Sequence, residues 1–137
     1  IKGGYLATKY ILESGHKNIA YISGPLWKKD AQERLNGHKQ ALAEHAIEFD
    51  ENSLYEGDFI EDSGYEGFTA LYKKNPAITA LVCANDEMAT GAMVSAREHG
   101  IELPAQLSII GYDNVFFTRH VYPPLSTINY PIDEMGK

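Results

Sequence analysis

Polar and aromatic side chains that could bind a small ligand come after four segments whose hydrophobic pattern predicts strands. Asp30 and Arg34 follow the first segment, Phe59 the second, Asn85 the third and Asp113 the fourth. A guanidinium is a rigid fork of donors, a carboxylate accepts protons from hydroxyl groups, an amide does both, and a flat ring packs on apolar or π surface. Such a set is suited to a small polyhydroxylated or heteroaromatic ligand, and we expect no metal or cofactor.

Alternating helices and strands are predicted to position these residues. Helical periodicity covers 3–13, 30–46, 62–75 and 85–99, and patterns typical of strands lie at 18–23, 52–57, 78–84 and 107–111. After an irregular stretch, 125–130 forms one more extended segment. The alternation predicts an α/β fold of three αβα layers, built on a doubly wound parallel sheet. Ligands bind at the carboxyl ends of the strands in such sheets, so the candidates should meet at one edge.

Polar residues mark the predicted starts of two helices. Asp30, with Glu33 three positions later, fits a capping box, and Asp62 or Ser63 would cap the next helix. We therefore expect these side chains to accept hydrogen bonds from the first backbone N–H groups.

Each candidate ligand residue also has a purely structural explanation. Arg34 opposes the helix dipole near a helix N-terminus, and Asp30 at i,i+4 spacing can compensate it. Asn85 fits a helix cap, Asp113 an Asx turn and Phe59 a buried ring beneath a loop. Position alone leaves both kinds of role open.

Sequence motifs for catalysis are missing. The sequence contains no G-x-S-x-G, G-x-x-x-x-G-K-S/T or G-x-G-x-x-G motif and offers no nucleophile with a base. Cys83 lies in an apolar segment, which indicates an unreactive core thiol. The histidines lack metal-ligand spacing, and surface positions are expected for His16, His38, His45, His99 and His120. We therefore expect a protein that is not an enzyme.

Length and charge restrict the class of protein. One domain is expected for 137 residues, and 12 Lys and Arg against 19 Asp and Glu give a net charge of −7. This acidity argues against direct binding to DNA phosphates. The single cysteine suits a reducing cytoplasm, and no apolar run approaches the roughly 20 residues of a membrane span. The chain begins without Met and ends where another helix starts, which indicates a piece of a longer protein.

One predicted helix is apolar around more than one face. It carries Met88, Ala89, Ala92, Met93, Val94 and Ala96. A helix of this kind is usually covered on two sides. One side would be the sheet, and the other a second subunit.

Six sequence motifs occur in a fixed order along the chain. They are G-H-K-N-I-A-Y-I-S-G at 15–24, R-L-N-G at 34–37, G-D-F at 57–59 with S-G-Y at 63–65, A-N-D-E-M-A-x-G-A at 84–92, L-S-I-I-G-Y-D-N at 107–114 and P-L-S-T-I at 124–128. Together they resemble the effector-binding domain of LacI/GalR-family bacterial transcription repressors. The resemblance runs from about 3 to 136, which is nearly the whole chain.

The resemblance implies a periplasmic binding protein-like sensor of two lobes, with a small effector in the cleft between them. In such repressors a helix-turn-helix headpiece precedes the sensor. The chain resembles the C-terminal lobe over 1–128 and the crossover towards the N-terminal lobe over 129–137, with the DNA-binding headpiece absent. The missing headpiece accounts for the lack of basic charge.

The resemblance implies a role for each residue that matches a position of the family motifs. Arg34 matches the arginine that grips the effector, Phe59 matches the ring that stacks on it, and Asn85 and Asp113 match the polar residues after the third and fourth strands. Asp30 lies in the effector-facing loop, where the residue type varies among members. The resemblance implies a dimerisation surface at Met88, Ala92, Met93, Ala96 and Tyr122.

Two classes of effector fit the motifs. D-A-Q-E-R-L at 30–35 and N-Y-P-I at 129–132 resemble galactose-type repressors, whereas 57–59 and 111–114 resemble the purine repressor equally well. Asn85 favours a sugar, because the purine-responsive pattern lacks an amide there. We therefore expect a homodimeric, cytoplasmic repressor that senses a galactose-like sugar, with a purine-responsive sensor or a secreted sugar-binding protein of the same fold as alternatives. A hydrolase or transferase on this fold lacks its nucleophile and base.

Overall fold

The computed structural model describes residues 2–101, 107–113 and 118–122, with side chains at 5–101 and 107–111. In chain order the elements are α1 (Lys2–Glu13), β1 (Ile19–Ser23), α2 (Lys29–Glu44), a 3-10 turn (Glu51–Ser53), β2 (Leu54–Glu56), α3 (Glu61–Lys74), β3 (Ala80–Cys83), α4 (Asp86–Glu98), β4 (Ser108–Asp113) and β5 (Thr118–Tyr122). The predicted alternation up to β4 is confirmed. None of the helices in these ranges is both long enough and apolar enough to cross a lipid bilayer.

The five strands form one sheet in the order β2-β1-β3-β4-β5. The first four strands are parallel, and β5 pairs antiparallel with β4, with Asp113 opposite Thr118. α1 packs with α2, and α3 packs with α4. Tyr21 of β1 stacks on a side chain of α2, whereas the neighbouring Ile22 faces α3, so the two helix pairs cover opposite faces of the sheet. The three-layer, doubly wound fold is confirmed.

β5 corrects one expectation, because 118–122 lies in a stretch that was predicted to be irregular. The strand occupies the end of the described sheet and has the sequence T-R-H-V-Y. A strand at a sheet edge needs no continuous apolar run, so hydrophobic patterning alone gives little signal for it. The predicted extended segment at 125–130 and the predicted crossover at 129–137 lie outside the described residues.

β1 and β3 are buried along their whole length. Helices exclude water from both faces of these central strands, which explains their nearly continuous apolar sequence. Cys83 of β3 has no exposed surface, and burial raises the pKa of its thiol. The thiol is therefore protonated and shielded from solvent, as expected of a core cysteine.

The predicted capping residues of α2 and α3 are wrong by two or three positions, because the N-caps are Lys28 and Ile60. α2 begins at Lys29, so Asp30 is its second residue rather than its cap, and α3 begins at Glu61, so Asp62 and Ser63 lie inside its first turn. For α2 the reason is a turn that leads directly into the helix, in which the N–H of Lys28 donates to the carbonyl of Pro25. Acidic residues in a first turn still stabilise the helix, because their charge interacts favourably with its dipole.

α3 and α4 touch backbone to backbone at two glycines. A Cβ atom on Gly64 would lie 1.9 Å from the carbonyl oxygen of Met88, and one on Gly91 would lie 2.0 Å from the carbonyl oxygen of Glu61. Any larger residue at either position must push the helices apart. The two glycines therefore fix the spacing of α3 and α4, and with it the loops that precede both helices.

His38 is buried in the core, which contradicts the expected surface position. It has no exposed surface, its Nδ1 lies 2.7 Å from the hydroxyl oxygen of Thr8 on α1, and its ring stacks on Tyr21 with 4.4 Å between centroids. The buried hydroxyl of Thr8 gives the imidazole a polar partner inside the core. Burial lowers the pKa of His38 to about 3. His45 and His99 are exposed and His16 is half-buried, while the side chain of His120 lies outside the described residues.

Gly64→Ala should destabilise the protein by at least about 2 kcal/mol, because the added methyl group meets backbone that cannot move alone. The free energy of unfolding in urea measures this effect. Gly100→Ala is the control, since Gly100 has open space around it and only its φ of +74° disfavours alanine, at a cost of about 1 kcal/mol. Equal losses for both variants would contradict the close contact of α3 and α4.

Acid should destabilise the protein through His38. Because its folded pKa of about 3 lies below the ordinary 6.5, the unfolded chain binds a proton that the folded chain does not. The free energy of unfolding should therefore fall as pH drops below about 6.5, with a contribution that approaches about 1.4 kcal/mol per pH unit.

Urea unfolding between pH 7 and 4.5 measures this slope. His38→Gln should flatten it, whereas His45→Gln, at an exposed position, should leave it unchanged. The same slope in wild type and His38→Gln would show that another group carries the acid sensitivity.

Candidate functional site

A cleft of about 390 Å³ opens at the carboxyl edge of the sheet. Its lining consists of Lys28, Asp30, Arg34, Phe59, Asn85, Asp86 and Glu87. These residues come from the connections that follow β1, β2 and β3 and from the first turns of the helices beyond them. The prediction that ligand candidates meet at one edge is confirmed for Asp30, Arg34, Phe59 and Asn85. Asp113 ends β4, which neighbours β3, and its side chain lies outside the described residues.

Arg34 forms the floor of the cleft. Only 6% of the residue is exposed, and its Nη1 donates a hydrogen bond of 2.6 Å to the carbonyl oxygen of Ala84, just beyond β3. Its Nη2 lies 4.0 Å from Oδ2 of Asp30, one helical turn earlier. The Asp30 side chain is 53% exposed, so this ion pair is screened by water and adds little stability. The guanidinium is thus held mainly by a backbone carbonyl, and it keeps further N–H groups for a ligand.

Phe59 forms one wall of the cleft rather than a ring fully buried beneath a loop. Its ring covers Gly24, where an added Cβ would lie 2.2 Å from Cζ of the ring. The guanidinium carbon of Arg34 lies 5.3 Å from the ring centroid, a distance typical of a cation–π contact. Phe59 is half-buried, which leaves ring surface for packing against a ligand.

The backbone of Phe59 adopts a left-handed conformation with φ of +72°. This conformation costs a residue other than glycine about 1–2 kcal/mol, so its neighbours must hold it in place. Asp58 Oδ1 accepts a hydrogen bond of 3.0 Å from the N–H of Ile60, and the Asp58 N–H donates to the hydroxyl of Ser63. The Ser63 hydroxyl and the Ile60 N–H together hold the pKa of Asp58 below its usual range. The loop is therefore fastened to the first turn of α3.

Asn85 is the N-cap of α4, as its structural explanation predicted. Its Oδ1 accepts a hydrogen bond of 3.0 Å from the N–H of Met88, and its Nδ2 donates one of 2.9 Å to the carbonyl oxygen of Phe59. Both ends of the amide are engaged by backbone groups. The preference for a sugar that was drawn from an amide at position 85 is not confirmed, because the structure gives this amide a structural role that does not depend on the class of effector.

Sequence reasoning did not single out Lys28 or Glu87 as lining residues, whereas Asp86 was expected at this edge because it follows the third strand. The Lys28 Nζ lies 5.3 Å from the ring centroid of Trp27 and 5.8 Å from that of Phe59, at the mouth of the cleft. The position of Lys28 in the loop after β1 is the sequence feature that could have identified it as a lining residue. Glu87 lies in the first turn of α4, where an acidic residue can favour the helix dipole and also face the cleft.

Four of the predicted dimer residues lie on α4, and the structure buries three of them within the chain. Met88, Ala92 and Ala96 have no exposed surface. They lie at i, i+4 and i+8, on the side of α4 that faces the core, so they offer no area to a second subunit. Met93 is half-buried and Val94 is 37% exposed, and these two mark the outward side of the helix. The side chain of Tyr122 lies outside the described residues.

Among the described residues, no group of three or more His, Cys, Asp or Glu side chains could hold a metal ion. The cleft presents hydrogen-bond donors, acceptors and one aromatic ring.

The chain is similar in sequence to a known protein family and to curated relatives. The model of the family described as periplasmic binding protein-like domain matches residues 8–137. The HTH-type transcriptional repressor PurR of Vibrio atlanticus (strain LGP32) is 43% identical over 136 residues, which cover 99% of this chain and 41% of that protein. The chain thus spans about two fifths of the length of this relative.

Solved structures of similar fold include two regulators. A sugar-binding transcriptional regulator of the LacI family from Escherichia coli has a TM-score of 0.79 and 36% identity, with 83% of this chain and 41% of that chain covered. The complex of the transcriptional regulator CelR with cellobiose has a TM-score of 0.84 and 35% identity, with 98% of this chain and 41% of that chain covered.

The left-handed backbone of Phe59 predicts an unusual order of stability. Phe59→Gly should be more stable than Phe59→Ala by about 1 kcal/mol, because both variants lose the ring and only glycine adopts a φ of +72° without strain. Thermal or urea unfolding measures the difference.

Tyr72, inside α3, provides the control. There alanine should be the more stable residue by about 1 kcal/mol, since glycine disfavours a helix. The same order at both positions would contradict the conformation of Phe59.

Proposed function

The chain belongs to the periplasmic binding protein-like domains of LacI-family transcriptional regulators, and on that premise we propose that it forms part of the effector-binding domain of a bacterial transcriptional repressor. The observation that carries the proposal is the pairing of a buried, backbone-anchored Arg34 with the half-exposed ring of Phe59 in one cleft. A donor fork beside a flat ring recognises a small ligand with acceptor atoms on its edge and an apolar or π face. The chain is a binding module rather than an enzyme.

The proposed effector is a neutral small molecule. The cleft is lined by the cations Lys28 and Arg34 and by three carboxylates, those of Asp30, Asp86 and Glu87. A phosphorylated ligand would meet this excess of negative charge, whereas a neutral ligand can donate to the carboxylates and accept from the cations.

A purine base is the first candidate. Its flat ring matches the face of Phe59, and its ring nitrogens and exocyclic oxygen provide acceptors for Arg34 and Lys28. The 43% identity to the repressor PurR supports this choice. A sugar is the second candidate, because the similar structures include a sugar-binding regulator and a regulator complexed with cellobiose. A galactose-like sugar would pack its C–H groups on Phe59 and its hydroxyls on the same charged groups.

The remaining parts of the regulator are proposed from the length of its relatives. We assign 1–128 to the C-terminal lobe of a two-lobed sensor and 129–137 to the crossover between lobes. A helix-turn-helix headpiece elsewhere in the full-length protein would bind operator DNA in the cytoplasm. The outward side of α4, with Met93 and Val94, would contribute to a homodimer.

Regulation requires that the effector binds one arrangement of the lobes better than the other. Equal affinity for both arrangements would shift no equilibrium, however tight the binding. By linkage, operator DNA must change effector affinity by the same factor as the effector changes DNA affinity. Arg34 and Phe59, together with Asp30 and Asp113, are the residues that we propose contact the effector.

Isothermal titration of the full-length regulator with hypoxanthine, guanine, ribose and galactose tests the proposal. At least one of these should bind, with the purine bases expected first. Arg34→Met should weaken that binding by about 100-fold, because the guanidinium is lost while the packing of its stem is kept.

Lys73→Met is the matched control, since it also removes one positive charge but lies exposed at the end of α3. It should bind like wild type. Full binding by a folded Arg34→Met variant would remove Arg34 from the site, and the absence of heat for every compound would count against an effector of either class.

A further inference from the structure

We propose that Asn85 is a positioning residue, which holds the ring of Phe59 in the cleft and links it to the first turn of α4. The proposal rests on the proposed effector site and deepens it. Asn85 was expected to contact the effector directly; it lines the cleft, and its two hydrogen bonds assign it the task of holding the loop of Phe59.

Asn85 connects two backbone segments that belong to different parts of the fold. Its Oδ1 caps α4 through the N–H of Met88, and its Nδ2 reaches across the edge of the sheet to the carbonyl oxygen of Phe59. Together the two bonds fix the orientation of the amide and leave one N–H of Nδ2 outside them. Its position is therefore better suited to bracing the loop than to following the shape of a ligand.

Phe59 needs such a brace because its backbone is in a disfavoured region. A residue with a Cβ atom at φ of +72° returns to negative φ when nothing holds it. That rotation would carry the ring away from Gly24 and from the guanidinium of Arg34, against which it now lies. The cleft would then lose the wall on which a ligand packs.

The remaining contacts of the loop fix the residues on either side of Phe59. Asp58 and Ile60 are fastened to each other and to Ser63 of α3. Asn85 adds the contact to the carbonyl of Phe59 itself, and it does so from α4. Since α3 and α4 are in backbone contact at Gly64, the loop and the first turn of α4 share one rigid support.

Asn85 thereby connects the residue on which a ligand would pack to the start of α4. The cap bond to Met88 connects the ring to a helix whose next turns carry Met93 and Val94 on the outward side. The link is short, because it consists of one side chain between the loop and the helix. It joins one wall of the cleft to the first turn of the proposed dimer helix.

A crystal structure of the full-length Asn85→Ser variant without ligand tests the positioning role. Serine still caps α4, but its hydroxyl is too short to reach the carbonyl of Phe59. We expect α4 to begin unchanged while Phe59 leaves positive φ and its ring leaves Gly24. A ring that remains over Gly24 would overturn the proposal. Asn52→Ser, in the exposed 3-10 turn, is the control and should leave the ring in place.

Titration with hypoxanthine, or with ribose if only the sugar binds, separates positioning from direct contact. Asn85→Ser should raise the dissociation constant about tenfold when the rest of the sequence is wild type. In a Phe59→Gly background it should cause less than about a twofold change, since no ring is left to hold. An equal loss in both backgrounds would overturn the proposal in favour of a contact with the ligand.

The two experiments distinguish the failure of this proposal from the failure of the proposed function. If wild type binds none of the titrated compounds, the proposed effector classes fail. The position of the Phe59 ring in Asn85→Ser is then still decided by the ligand-free crystal structure.

Discussion

A hydrogen bond between the guanidinium of Arg34 and the carbonyl oxygen of Ala84 is the interaction on which the cleft depends. It ties α2 to the end of β3 across 2.6 Å, and it allows a cation to lie with only 6% of its residue exposed. A buried charge without such a partner costs several kcal/mol. The exposed carboxylate of Asp30 is 4.0 Å away and compensates only weakly. The start of α2 must therefore stay at the carboxyl edge, which sets the depth of the cleft.

Most of the fold could be predicted because central parallel strands are recognisable in a sequence. β1 and β3 are covered on both faces, so they consist of nearly continuous apolar residues, and the turns after them stand out. Once the strands are placed, parallel pairing brings their carboxyl ends together. The sequence alone therefore predicts that Arg34, Phe59 and Asn85 lie in one cleft.

The features that escaped prediction depend on partners that are distant in sequence. His38 is buried because Thr8, on another helix, gives it a hydrogen bond. Met88, Ala92 and Ala96 resembled an interface because small and apolar residues serve a subunit contact and a tight helix pair equally well. Here α3 and the sheet cover them, and Gly64 lets α3 approach closely. β5 escaped because an edge strand carries no continuous apolar pattern.

At Phe59 the strain energy of the backbone is similar in size to the energy of an aromatic contact with a ligand. Its left-handed backbone stores about 1–2 kcal/mol, and an aromatic contact with a ligand contributes about 0.5–1.5 kcal/mol. Because the two quantities are of the same size, occupancy of the cleft can alter the balance of this loop. The backbone contact of α3 with α4 is stiffer, since its atoms are already at their closest approach. The loop of Phe59 is therefore the softer part of the site, whereas the close contact at Gly64 and Gly91 leaves α3 and α4 little freedom to move separately.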